Sequence, residues 1–358
     1  MANASELSES IDRINAALER GAHEEARRLI TAILDEDPTQ RDGLLCHAVL
    51  EVQEGNGRAA LEVLDQALDH HPDDISLLML RAAVLMDFYD DHAEARLLLE
   101  DVLDGLRGWL PANDDEVAAQ KHAKAETLRL LSRCHLDAGN AEEGLEAAEE
   151  ALRMAPHDAA VLLAVAEANY EAGNLDEARD LAGRSMEQAP TADADWLLGR
   201  VHSALGDHAA ADELLHRAAE KEPARFHHPT RTTEAAFQQA LAQAMEALPS
   251  ALREYLKRAR IRVAETPSGQ PRPSARRIGP GALSSCPTPL PDLSEARDLF
   301  AVAPEEIVLY RRNLEIAAAT PEALVELMAT CLTHEVARFV GLDAAGFEEP
   351  QPPGDAES

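Results

Sequence analysis

The chain has 358 residues, and its 66 acidic side chains against 33 basic ones give a formal charge of −33. So large an excess of negative charge repels the phosphates of nucleic acids and of anionic lipids. We therefore expect neither a nucleic-acid nor a membrane partner. Hydrophobic residues make up 46% of the chain, too many for a disordered acidic tail. Aromatic residues make up only 3%, which favours helices over sheets.

The start of the chain and its cysteines indicate the cellular compartment. The first residues show neither the basic stretch nor the apolar stretch of a secretory signal. The longest purely apolar run, Ala159 to Ala166, is far shorter than a membrane span. The four cysteines lie far apart with no CxxC pair, which indicates reduced thiols rather than a disulfide framework. These features predict a cytoplasmic protein.

A pattern of three residues recurs in the first two thirds of the chain: a Gly, a small residue five positions later, and a Pro twelve positions beyond that. Five copies are present: Gly21-Ala26-Pro38, Gly55-Ala60-Pro72, Gly139-Gly144-Pro156, Gly173-Ala178-Pro190 and Gly206-Ala211-Pro223. A sixth unit is centred on Ala95, where Asp90 and Arg107 replace the Gly and the Pro. Units that follow one another directly are 33 to 35 residues apart. This part of the chain is therefore predicted to be a repeat array.

Each position of the pattern has a structural reason. The Gly ends the first helix of a unit, where a left-handed residue is needed. The small residue lets two helices approach closely, and the Pro prevents the second helix from continuing. The pattern resembles the tetratricopeptide repeat (TPR). The resemblance implies an α-solenoid of about six units over residues 1–223 that binds a protein or peptide. Because the array is acidic, we expect its partner to be basic or amphipathic.

The composition changes after Pro223, and the last third predicts a small α+β domain over residues 224–347. The predicted elements, in chain order, are helices at 234–248 and 252–259, strands at 260–264 and 306–314, and a helix from Pro321 to Phe339. Thr320 is well placed to cap the last helix. The Pro-rich stretch 266–291 predicts an irregular, mobile loop, and residues 348–358 predict a disordered acidic tail.

Residues 251–280 form a basic segment in this acidic chain, with eight basic side chains against two acidic ones. We expect the segment to dock on the acidic surface of the repeat array itself, with a partner protein as the alternative. Nucleic acid fits less well, because no aromatic side chains interleave with the basic ones as stacking platforms.

The helix predicted after Pro321 contains a sequence that departs at one position from the zinc-peptidase motif HExxH. In that motif two His side chains one helical turn apart bind Zn²⁺, and the Glu polarises the metal-bound water. His334 and Glu335 occupy the first two positions, and Arg338 stands where the second His belongs.

The surroundings of this motif resemble the zincin-like minimal metallopeptidase domains of bacteria, over residues 234–347. The segments that carry the resemblance occur in the family's order: Ala247-Leu248-Pro249, Arg260 to Glu265, Ile307 to Glu315, and Thr333 to Ala337 followed by Gly341-Leu342. The resemblance implies that HExxH is followed by a Gly and then by a third zinc ligand, commonly acidic. Gly341 matches that Gly, Ala344 falls where the third ligand is expected, and Asp343 lies one residue early.

Arg338 determines whether we expect this motif to bind zinc. A guanidinium has no lone pair to donate, and it would place a positive charge about one helical turn from the metal. We therefore expect no bound metal or other cofactor and no catalysis, with Arg338 pairing with Glu335 or Asp343 as a structural residue. The alternative is a rearranged zinc site made of Cys331, His334 and Asp343, with Glu335 as the catalytic base.

Three functional hypotheses follow from these patterns. The first is a TPR protein-binding scaffold that carries a degenerate, non-catalytic zincin-like domain, in other words a pseudoenzyme. The second is a zinc-dependent metallopeptidase with non-standard ligands, whose repeat array presents a protein substrate. The third is a structural adaptor in which the C-terminal domain caps the solenoid. All three share a mainly α fold, a TPR-like α-solenoid followed by a small α+β zincin-like domain.

Overall fold

A computed structural model of the chain describes residues 4–267, 278–291 and 300–342. The chain forms two compact units, residues 1–168 and residues 169–358. No helix in the described ranges combines the length and the apolar character needed to cross a lipid bilayer. The domain limits predicted from the sequence remain predictions, and the predicted acidic tail lies outside the described residues.

Helices build the whole described part of the first unit. They are α1 Ala4–Glu19, α2 His23–Glu36, α3 Arg41–Gln53, α4 Gly57–His70, α5 Ile75–Tyr89, α6 His92–Gly108, α7 Asp114–Asp137, α8 Ala141–Met154 and α9 Ala159–Glu171, which crosses into the second unit. The second unit continues with α10 Leu175–Gln188, α11 Ala192–Leu205, α12 His208–Lys221, α13 Glu234–Ala247, α14 Ser250–Leu256, β1 Arg260–Ala264, β2 Ser284–Ser285, β3 Glu306–Tyr310, α15 Arg311–Ala317 and α16 Pro321–Phe339.

The repeat pattern coincides with six consecutive helix pairs, α1–α2 to α11–α12. Its five glycines follow the first helix of a pair and have φ angles between 67° and 85°, the left-handed region that glycine tolerates best. Asp90 takes the same place between α5 and α6, with a φ of 54°. The central small residue of every second helix is buried, and each of the five prolines lies two residues beyond a helix end. The structural reasons given for the pattern are thus confirmed.

The α+β part of the second unit is built around a three-stranded sheet. β1 runs parallel to β3, with Ile261 opposite Ile307, and β2 runs antiparallel to β3, which gives the order β1-β3-β2. The central strand β3 is buried, and α13, α14 and α16 contribute side chains such as Phe237, Met328 and Val336 to the same core. Helix α16 therefore lies against the sheet, with its N-terminus capped by the Thr320 hydroxyl at 3.1 Å from the Ala323 amide.

Two predicted elements of this part are wrong in detail. The strand predicted over 306–314 ends at Tyr310, and the chain turns directly into α15. The reason is that α15 buries polar side chains, among them Asn313 and Glu315, whose partners lie on other segments of the second unit. The loop predicted over 266–291 contains the short strand β2, which its prolines hid, and residues 268–277 of that loop lie outside the described residues.

An ionic cluster around the buried Glu315 joins α12, α15 and the segment between α12 and α13. Glu315 is only 2% exposed, and its carboxylate accepts from Arg311 Nε at 3.0 Å and from Arg231 Nη1 at 3.4 Å. Asp212 on α12 pairs with Arg231 and with Arg312 Nη2, the latter at 2.9 Å. Burial raises the pKa of Asp212, but these guanidinium groups outweigh it and hold that pKa below its usual value. The cluster fastens the α+β part to the last helix of the array.

In the described part of the basic segment 251–280, the charged side chains make contacts that differ from the predicted docking on the repeat array. Arg258 donates to the carbonyl of Phe300 at 2.8 Å, and Arg262 donates to Glu306 at 3.1 Å. Both contacts lie inside the α+β part. The basic residues at 272, 276 and 277 lie outside the described residues, so docking of the whole segment on the repeats remains a prediction.

All four cysteines are buried and free, as their spacing predicted. Burial raises the pKa of each thiol, to about 11 for Cys46 and Cys331. At neutral pH these side chains are therefore protonated and act as packing residues.

Candidate functional site

The degenerate motif lies on the buried face of α16. Leu324, Met328 and Leu332, each about one turn from the next, are fully buried, as expected for the core-facing stripe of an amphipathic helix. The same face continues to Glu335, which is only 6% exposed. The sequence thus buries an ionisable side chain at the motif's Glu position, and a buried carboxylate needs hydrogen-bond or charge partners.

Both carboxylate oxygens of Glu335 have partners within the protein. Ser284, the first residue of β2, donates its hydroxyl to Oε1 at 2.9 Å. The guanidinium of Arg338, one turn further along α16, donates to Oε2. The Arg338 side chain is itself about half exposed, 45%. Of the two partners considered for Arg338 from the sequence, Glu335 is the one it contacts in the described residues.

Of the remaining candidate residues, Cys331 lies on the buried side of α16 near Ser284, and His334 lies on the exposed side. Burial raises the pKa of the Cys331 thiol, and the nearby Ser284 hydroxyl offsets part of that rise. Asp343, the candidate third ligand, and Ala344 lie outside the described residues. The structure therefore brings together Glu335, Arg338, Cys331 and Ser284, and it leaves His334 apart.

The described residues do not fit a catalytic zinc ion. Within the described ranges, no three His, Cys, Asp or Glu side chains come together as a metal-binding group. A zinc ligand must be a thiolate, a neutral imidazole or a free carboxylate. Glu335 is already held by Ser284 and Arg338. A permanent cation also stands where the second imidazole would be required.

The Glu335–Arg338 pair can be tested as a structural unit. We expect Arg338→Ala to lower the free energy of unfolding by about 1 kcal/mol, because the buried carboxylate loses a charged partner that is itself half exposed. Adding Glu335→Gln should cost less than the sum of the two single effects, since a neutral amide does not need the cation. Urea denaturation of the four proteins measures this coupling. Additive effects would show that the two side chains do not act as a unit.

A second candidate site is a groove in the first unit. It has a volume of about 670 Å³ and lies among α6, α7 and α8. Its lining residues are Glu100, Leu103, Asp104, Arg107, Leu128, Leu131, His135, Glu143, Glu146, Ala147, Glu149, Glu150 and Arg153. Six carboxylates against two guanidinium groups make the rim acidic, and Asp104 already pairs with Arg107 at 2.7 Å. We call this feature the acidic groove.

Comparisons with known proteins agree with this description of the fold. The tetratricopeptide repeat model matches residues 17–84 and 135–196, and the zincin-like metallopeptidase model matches residues 279–351. The chain thus has tetratricopeptide repeats in its N-terminal part and a zincin-like metallopeptidase domain near its C-terminus. The predicted fold class, mainly α with TPR-like repeats followed by a small α+β domain, is confirmed. No curated protein matches the chain.

The chain is similar at low identity to solved structures of TPR proteins. The Pseudomonas aeruginosa pilF protein is 19% identical with a TM-score of 0.45, over 60% of this chain and 91% of that one. PilW, described as a widely conserved type IV pilus biogenesis factor, is 18% identical with a TM-score of 0.48, over 62% and 96%. YrrB, described as a TPR protein with an unusual peptide-binding site, is 18% identical with a TM-score of 0.34, over 54% and 92%. At these scores the likenesses carry no functional argument.

Sequence reasoning missed the residues that support Glu335 and the α+β part. Ser284 lies in a Pro-rich stretch that lacks the alternation typical of a strand, so nothing marked it as a partner of α16. Asp212 and Glu315 are single acidic residues among 66, and only their burial against guanidinium groups distinguishes them. The acidic groove was equally hidden, because its lining comes from three different helices.

Proposed function

We propose that the protein is a protein-binding scaffold whose zincin-like domain does not bind metal and does not catalyse hydrolysis. The ion pair between Glu335 and Arg338 carries this proposal. In a zincin the Glu must be free to polarise a metal-bound water. Here its two oxygens are taken by Ser284 and Arg338, and the exposed His334 stands apart from them. We further propose a cytoplasmic location, which suits four free thiols.

The acidic groove supports a basic, amphipathic segment as the partner. Leu103, Leu128 and Leu131 lie at the bottom of the groove, less than a tenth exposed, and its rim carries the carboxylates. An amphipathic helix with apolar residues on one face and Lys or Arg at its margins would meet both features. Charge complementarity of this kind speeds association and excludes acidic competitors.

The ionic cluster around Glu315 supports a structural role for the α+β part beside partner binding. A repeat array exposes an apolar surface at its last helix unless a polar element covers it. In the second unit the α+β part is fastened to α12 through Asp212, Arg231 and Arg312. We propose that it covers this end of the array.

Metal analysis tests the loss of zinc chemistry. The purified chain is incubated with equimolar zinc, desalted and measured for metal, together with the variants His334→Ala and Arg338→His. We expect substoichiometric zinc in the wild type and in His334→Ala, because the described residues offer no set of three ligands. Arg338→His, which completes the HExxH motif, is the matched variant in which retention should rise. One zinc per wild-type chain that is lost in His334→Ala, with peptide cleavage abolished by Glu335→Gln, would establish the metallopeptidase alternative.

Charge reversal tests the acidic groove. The probe is a helical peptide with Leu on one face and Lys on the other, and its binding is measured at two salt concentrations. We expect the double variant Glu146→Lys, Glu150→Lys to bind the peptide at least about tenfold more weakly, because Lys side chains would repel the cationic probe. Glu62→Lys, an exposed residue outside the groove, is the control and should change little. Equal binding by the wild type and the double variant would exclude the groove as the site.

A further inference from the structure

One segment of the α+β part lies directly on the repeats of the second unit. Residues 278–283, which we call the Gly-Pro-Gly segment, pass over Glu171 at the end of α9 and over Arg200 on α11. A Cβ atom on Gly279 would lie 3.4 Å from Glu171 Oε2. A Cβ atom on Gly281 would lie 2.9 Å from Arg200 Nη2 and 3.4 Å from the Tyr170 hydroxyl. Only a residue without a side chain fits at position 281 without displacing Arg200.

The surface under this segment is an ordered polar platform. The Arg200 guanidinium lies over the Tyr170 ring at 4.5 Å and bonds Glu171 Oε1 at 3.0 Å. Tyr170 is 1% exposed, so the ring is fixed within the unit. An arginine that is stacked and paired in this way is ordered by contacts within the platform itself, which lowers the entropic cost of binding a ligand. We call Tyr170, Glu171 and Arg200 the platform.

The α+β part holds the segment in a preformed turn. The Ala282 amide donates to the Gly279 carbonyl at 3.2 Å. The Asn313 side chain donates to the carbonyls of Pro280 and Ala282, at 2.8 Å and 2.6 Å. Beyond the turn, the Tyr310 amide donates to the Leu283 carbonyl at 2.9 Å. Hydrogen bonds from Asn313 and Tyr310 thus hold the segment in the conformation in which it contacts the platform.

We infer that the platform is a binding site for a glycine-containing peptide turn and that the chain's own Gly-Pro-Gly segment fills it. A partner peptide that uses this face must therefore displace the segment. The next residue along the chain is Ser284, which bonds Glu335. Release of the segment from the platform consequently loosens a hydrogen bond of the degenerate site, so the two sites are coupled. This inference rests on the proposed function only in assuming that the repeats receive a peptide.

The test displaces the segment from the platform by replacing Gly281 with a larger residue. Gly281→Val is chosen because Gly281 is not among the residues with positive φ, so the substitution acts through the close contact and not through backbone strain. Gly279→Ala is the matched control, since its Cβ would meet Glu171 at an ordinary contact distance of 3.4 Å. The probe is a fluorescent peptide with the sequence of residues 278–285, added to the full chain.

We expect the probe to bind Gly281→Val at least about tenfold more tightly than the wild type or Gly279→Ala, because in those chains the tethered copy competes for the platform. Binding to Gly281→Val should be lost when Arg200→Ala is added. Hydrogen exchange should be faster over residues 278–285 in Gly281→Val, with α10 and α11 unchanged. Equal binding to all chains, or no binding to the opened one, would overturn the inference.

Asn313→Ala is the second variant, and it keeps the test decisive if Gly281→Val does not fold. It removes the two bonds to the segment without adding bulk. We expect it to speed hydrogen exchange over residues 278–285 and to bind the probe better than the wild type does. Unchanged exchange and unchanged binding in Asn313→Ala would overturn the inference. None of these readouts depends on zinc or on the acidic groove, so the outcome is separate from that of the proposed function.

Discussion

Replacing Glu315 with alanine is expected to lower the free energy of unfolding of the second unit by about 3–5 kcal/mol, the usual cost of removing one partner from a buried ionic group. Glu315 is 2% exposed and accepts from Arg231, Arg311 and the Thr232 hydroxyl, the last at 2.7 Å. Without it, the guanidinium groups of Arg231 and Arg311 lose their buried carboxylate partner.

The measurement is urea denaturation followed by the fluorescence of Trp196, in a Trp109→Phe background that leaves one tryptophan. Trp196 packs against Phe226 with ring centroids 5.0 Å apart, in the segment that leads to the cluster. Glu254→Ala is the control, since Glu254 pairs with Lys257 where both side chains are about two thirds exposed, at 70% and 66%. Such a pair contributes less than about 1 kcal/mol. A loss no larger in Glu315→Ala than in Glu254→Ala would show that the cluster does not hold the α+β part in place.

Two glycines in the second unit should respond to alanine with opposite signs. A Cβ atom on Gly199 in α11 would lie 2.6 Å from Leu215 Cγ, and Leu215 on α12 is fully buried. We expect Gly199→Ala to lower the free energy of unfolding by about 1–3 kcal/mol, because overpacking outweighs the gain in helix propensity.

Gly183 in α10 is the matched case without a close neighbour. An added Cβ would meet nothing within 4 Å, so Gly183→Ala should raise the free energy of unfolding by about 0.5–1 kcal/mol through helix propensity alone. The same fluorescence titration measures both variants. A higher free energy of unfolding in Gly199→Ala would mean that α11 and α12 are not packed as closely as the Gly199 contact indicates, and a lower one in Gly183→Ala would contradict the helix-propensity gain.

The repeats could be predicted from the sequence because each recurring spacing meets a local requirement of the backbone. A left-handed residue, a close helix contact and a helix stop recur at fixed positions, and even Asp90 was placed correctly by its register. The α+β part was harder to predict. The strand β2 has two residues and gains its place from pairing with Val308 and Leu309, which are remote in sequence. Helix α15 forms where the sequence predicts the end of a strand, because its polar residues have tertiary partners.

The candidate site, like the fold, could be predicted from the sequence only in part. The motif on α16 identified Glu335 and Arg338, because they lie one turn apart on a helix whose period the sequence reveals. Their contact with Ser284 depends on how a Pro-rich stretch returns to the sheet, which no local spacing encodes. The exposed position of His334 also follows from the rotation of α16 against the core, since burial of Leu332 and Glu335 leaves it outside.

The burial of all four cysteines has a practical consequence for experiments on this chain. Their thiols have raised pKa values and are shielded by packing. Maleimide reagents attack thiolates, so a single cysteine introduced at an exposed position such as Arg58, whose side chain is 89% exposed, would take up a dye selectively. The environment of that dye could then be followed by spectroscopy without first removing the native cysteines.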